Sequence, residues 1–113
     1  MTKERKMKVL ELCKVLGGAV EKNYADRWTH NVIKIDIQEG NRFYKLVRHD
    51  YDVATGELNK FSGSVHCFVE KATGDVYKAA TFRTPAKGVR FNLFNDIEVL
   101  KEIADFAGGY LYR

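Results

Sequence analysis

The segment VIKIDIQEGNRFYKLVR, residues 32–48, decides the fold. Val32 to Glu39 alternates: Ile33, Ile35 and Ile37 point one way, Lys34, Asp36 and Gln38 the other, the period of a half-buried strand. Gly40-Asn41 is a turn pair, and Arg42 to Arg48 supplies the returning strand of a hairpin.

A second hairpin lies downstream. Ala54-Thr55-Gly56-Glu57 and its near copy Ala72-Thr73-Gly74-Asp75 read as tight turns with glycine at a positive-φ position. Ser64–Lys71 and Asp75–Phe82 flank the second turn, with Val65, Cys67 and Val69 on one face and His66, Phe68 and Glu70 on the other. Val89–Phe94 is a further extended piece.

Helices close both ends of the chain. Val9, Leu12, Cys13, Leu16 and Val20 recur at helical spacing, which predicts a helix from Lys3 to Leu16, capped by Thr2 and stopped at Gly17-Gly18. Residues 21–31 show no clean period, and Trp28 and Tyr24 are expected to cover an edge of the core. Asn95, with Glu98 after it, resembles a capping box opening a second helix to Ala107, with Ile97, Leu100, Ile103, Ala104 and Ala107 on one face. Gly108-Gly109 ends it, and Tyr110–Tyr112 is expected to add a strand or pack across a partner. The pattern predicts one α+β domain over residues 1–113: a mainly antiparallel sheet of about five strands packed by an N-terminal and a C-terminal helix.

Composition narrows the function. The chain is 45% hydrophobic and 30% charged, with seven Phe, six Tyr and one Trp, enough bulk for a core and too apolar for disorder. Cys13 and Cys67 sit in apolar patterns and read as reduced core thiols, which suits a cytosolic protein. Glu11 and Lys14 interrupt the apolar run after the basic N-terminus, which argues against a signal peptide, and no run is long enough to span a membrane. Catalytic sets are weak. His49-Asp50 and His66-Cys67 are adjacent on strands, so alternation turns each pair apart. Neither Walker nor metal-ligand spacing occurs. A binding protein without cofactor is expected, not an enzyme.

The charge is concentrated. Residues 76–95, VYKAATFRTPAKGVRFNLFN, hold Lys78, Arg83, Lys87 and Arg90 and no acid, so these four cations account for the whole net charge of +4. Pro85 and Gly88 shape the loop, and Phe82 and Phe91 flank it. Cations, exposed amides and rings are what a phosphate-bearing, base-bearing ligand needs.

The run Val65–Lys78, then Pro85–Leu93 and the closing Gly109–Arg113, is similar to small bacteriophage proteins, the Thoeris anti-defence proteins of type one. The resemblance implies a phage sponge acting in the host cytoplasm. Such proteins bind the cyclic ADP-ribose isomers that a bacterial TIR-domain enzyme makes as an alarm signal, and sequester them uncut. It also implies homo-oligomers, dimers at least, with ligand at the subunit boundary; some members hold cyclic oligonucleotides at separate sites. Carried onto this chain, Phe82 stacks on a base and Asn92 hydrogen-bonds the ligand. On physical grounds Arg83, Lys87 and Arg90 join them as pyrophosphate partners. Two alternatives remain open: a nucleic-acid-binding protein using the basic loop 83–92, and an interaction protein whose aromatic edge docks on a host protein.

Overall fold

A computed structural model describes residues 3–27, 31–52, 54–57 and 63–112. Thr2 and Trp28, with the roles expected of them, lie outside the described residues. The expected class holds: five antiparallel strands and two helices. The elements are α1 (Lys3–Ala25), β1 (Asn31–Glu39), β2 (Phe43–Asp52), β3 (Ser64–Glu70), β4 (Asp75–Tyr77), β5 (Phe91–Asn92) and α2 (Leu93–Ile103), followed by a 3-10 turn (Gly109–Leu111). The strands lie in the order β1-β2-β3-β4-β5.

The hairpin of residues 32–48 forms as its alternation dictates, with Glu39 opposite Tyr44 and Ile37 opposite Leu46. Ile33, Tyr44, Leu46, Cys67, Val69 and Val76 bury one sheet face against α1 and α2. Each fully buried aliphatic side chain contributes about 1.5–3 kcal/mol. Both expected turn glycines take positive φ, Gly56 at 70° and Gly74 at 77°.

Helix α1 does not stop at Gly17-Gly18. Val20 and Tyr24 continue the buried stripe of Val9, Leu12, Cys13 and Leu16, and the helix runs to Ala25. Gly17 serves packing instead: a Cβ there would stand 3.2 Å from Cβ and Cγ2 of Ile35. The helix therefore lies close on β1, and its Glu21 accepts a 3.1 Å bond from the Ile35 N–H on this edge strand. Gly18 faces open space. Gly18→Ala should stabilise the protein by about 0.5–1 kcal/mol. Gly17→Val should instead cost about 1–3 kcal/mol through overpacking. Urea midpoints of the two variants check the opposite signs.

Helix α2 begins before the expected Asn95. Asn92 is its N-cap: Oδ1 accepts from the N–H groups of Phe94 (3.0 Å) and Asn95 (3.2 Å). Asp96, not Glu98, closes the reciprocal bond by accepting from the Asn92 N–H at 2.8 Å. The earlier start puts Leu93, Leu100 and Ala104 in the core, and leaves Ile103 and Ala107 exposed. Gly108, at φ 78°, then turns the chain into the 3-10 turn that buries Leu111, not into a strand.

Two details shape the surface. The β2–β3 register shifts between Leu46, opposite Cys67, and Val47, opposite Val65, which leaves His66 as a bulged residue without a β2 partner. After β4 the basic stretch folds into a narrow arm, bridged at Ala79–Pro85 and closed by Ala86 N–H to the Lys78 carbonyl (2.7 Å).

Candidate functional site

The tip of that arm is a built turn. The Thr81 N–H donates to the Thr84 carbonyl at 3.1 Å. Thr81 Oγ1 accepts from the N–H groups of Arg83 (3.1 Å) and Thr84 (3.0 Å). Such side-chain bonds are the usual way threonine fixes a turn. They hold Phe82 and Arg83 at the apex, Phe82 with 53% of its surface exposed.

Beside the apex lies a cavity of ≈ 350 Å³ between the β1–β2 turn and the sheet, lined by Asn41, Arg42, Phe43, Lys45, Phe68 and Arg83 among others. Phe68 is buried, and Phe43 meets the rings of Phe68 and Tyr77 edge-on at 5.9 and 5.8 Å. Lys45 Nζ stands 4.1 Å from the Phe82 centroid and 5.9 Å from that of Phe68, bridging apex and floor. Two carboxylates border this region, and both are engaged: Glu39 accepts from Lys71 Nζ at 2.6 Å, and Glu70 pairs with Arg42 at 3.1 Å. Lys45 and Arg83 therefore set the sign of the field: a positive, ring-walled recess.

The five residues singled out in the sequence do not converge. Phe82 and Arg83 belong to this region. Lys87 is exposed elsewhere on the basic stretch. Arg90 folds back on its own loop, its Nη1 donating to the carbonyls of Lys87 and Gly88, both at 3.3 Å. The Asn92 amide serves the fold: beyond the cap, Nδ2 donates to the Thr73 carbonyl (2.8 Å) and to Asp75 Oδ1 (2.9 Å). Arg42, Phe43, Lys45 and Phe68 went unnoticed in the sequence. The signal for Phe43 and Lys45 was alternation along β2, which sets them opposite Tyr44 and Leu46.

The bulge breaks the alternation expected to turn His66 and Cys67 to opposite faces. Cys67 lies in the core, where burial pushes its thiol up, and burial likewise pushes the Cys13 thiol up to about 12. Both are therefore protonated, which disfavours nucleophilic use. His66 pairs with the Tyr110 hydroxyl at 2.6 Å, and burial lowers its pKa from 6.5 to about 4. Between those values the unfolded chain takes up a proton that the folded chain refuses. The stability held above pH 6.5 should therefore fall as pH drops towards 4. The full loss is about 3 kcal/mol. Urea unfolding across that range checks it: His66→Gln should lack this part of the decline.

Among the described residues no three His, Cys, Asp or Glu side chains gather into a metal-sized cluster, and no helix is long and apolar enough to cross a membrane. Fold and recess together define a small α+β domain presenting a basic, ring-walled surface. The chain belongs to a family of unknown function, DUF7717, whose model matches residues 1–113. No curated protein and no solved structure matches it.

Proposed function

We propose that this protein binds a small phosphorylated, base-bearing ligand at the arm apex and holds it unchanged. The observation that carries the reading is the Lys45–Phe82 stack beside Arg83, above the buried Phe68. A ring face for a base and two cations for a pyrophosphate meet there. The volume, ≈ 350 Å³, sits at the small end of ligand pockets, which span about 300–1,000 Å³. A second copy closing the recess would bury more of the ligand, so a homo-oligomer with ligand at the boundary suits it.

The likeness of residues 65–113 to the Thoeris anti-defence proteins of type one supplies the ligand: cyclic ADP-ribose isomers, sequestered in the host cytoplasm as a sponge against TIR-based defence. In that proposal Arg83 acts from the cavity lining, and Phe82 acts from beside it, next to Lys45. Lys87 and Arg90 act only as nearby positive charge, and Asn92 acts through the fold.

Incubation with a TIR-enzyme reaction mixture, desalting, heating and mass spectrometry of the released small molecules tests the proposal. The expected product is the cyclic isomer at unchanged mass. A linearised product would instead show an enzyme. Retention of oligonucleotide with no cyclic isomer would favour the nucleic-acid alternative.

A further inference from the structure

A second cavity, of ≈ 200 Å³, lies at the other end of the strands, where Arg48, Ser64 and His66 meet Lys78, Phe106 and Tyr112. Its lining contains two cations and no carboxylate. Arg48 is held rigidly. Its Nε donates to Asp50 Oδ1 at 3.1 Å and its Nη1 to the Phe106 carbonyl at 3.3 Å. Its guanidinium also lies over the rings of Tyr24 (5.4 Å) and Phe106 (5.5 Å). A guanidinium has donors beyond those two bonds, so a fixed fork remains to offer. Lys78 comes from the basic stretch, and its Nζ stands 4.0 Å over the Tyr112 ring. Among the described residues no carboxylate pairs with Lys78. The other nearby acid, Asp105, accepts from the N–H groups of Gly109 (3.1 Å) and Tyr110 (3.3 Å) and keeps its negative charge near His66. The bulge at His66 opens the sheet here, and the His66–Tyr110 bond fixes one wall.

We propose that this cavity is a separate anion site that takes a small phosphomonoester, with Arg48 and Lys78 on the phosphate and the rings of Phe106 and Tyr112 beside the organic part. Asp50 balances Arg48, so Lys78 carries the uncompensated charge, while the remaining guanidinium N–H groups offer the oxygens of a phosphate directed donors. The arginine fork and the lysine point charge are the usual pair for phosphate oxygens. At ≈ 200 Å³ the cavity is smaller than the ≈ 350 Å³ recess at the arm apex, and a smaller ligand suits it.

Calorimetric titration with phenyl phosphate, inorganic phosphate and benzoate tests the site. Phenyl phosphate should bind saturably and at least about tenfold more tightly than benzoate, a factor that corresponds to about 1.4 kcal/mol. Lys78→Glu should weaken phenyl phosphate by about tenfold or more while leaving the thermal midpoint unchanged. Arg83→Glu should leave it unaffected, which separates this site from the arm apex. Arg48→Gln should abolish binding; since Arg48 also braces Phe106, the half-buried Lys78→Glu variant decides if Arg48→Gln fails to fold. Absence of saturable binding, equal affinity for benzoate, or indifference to Lys78→Glu would overturn the proposal.

Discussion

Asn92→Ala should lower the unfolding free energy by about 3–4 kcal/mol. The size follows from four bonds made by one half-buried amide. Its oxygen caps two N–H groups of α2, and its nitrogen ties that helix start to the Thr73 carbonyl and the Asp75 carboxylate. Loss of the cap costs about 1 kcal/mol, and each donated bond about 1 kcal/mol or more, the charged partner the most. Asn92→Ser should recover the cap alone and sit between alanine and wild type. Asn95→Ala, one turn into the helix and exposed, should change stability by less than about 0.5 kcal/mol. Urea denaturation of the three variants gives the comparison. Full stability of Asn92→Ala would show that the amide is available to a ligand after all.

Charge reversal at the arm apex should have the largest effect on binding. Arg83→Glu or Lys45→Glu should each weaken a cyclic ADP-ribose isomer by about 30–100-fold, the worth of one charge-assisted bond to phosphate, about 2–3 kcal/mol. Phe82→Ala should cost about 1–3 kcal/mol of stacking. These losses will not add fully, because Lys45 touches Phe82 and all three groups share one ligand. Folding should survive in the Phe82 and Arg83 variants, since both side chains are exposed. Lys87→Glu, an exposed change elsewhere on the stretch, should alter affinity only a few-fold through a screened field. Equal losses at Lys87 and Arg83 would point to diffuse electrostatic attraction, with no built site.

What could be read from the chain depended on the range of the interaction. The 32–48 hairpin was legible because alternation and a Gly-Asn turn are local facts. Gly17-Gly18 misled because glycine as a helix end and glycine as a close-packing position look alike until Ile35 is known to lie 3.2 Å from where a Cβ on Gly17 would stand. The start of α2 was misplaced for a related reason. Asn95 and Glu98 satisfy the local capping pattern, but the bonds from Asn92 to Thr73 and Asp75 across the sheet decide the cap. The bulge at His66 had no local signal at all. At the arm apex the basic composition and Phe82 were visible, whereas Lys45 joined them only through strand pairing and the fold of the arm.

The most direct measurement is a calorimetric titration of the wild-type protein with a purified cyclic ADP-ribose isomer, with the ligand recovered by heating at the end point. Saturable binding that Arg83→Glu removes, with the isomer recovered at its original mass, is the expected result. No saturable heat, or heat that survives Arg83→Glu, would contradict a recess built at the arm apex to hold that ligand.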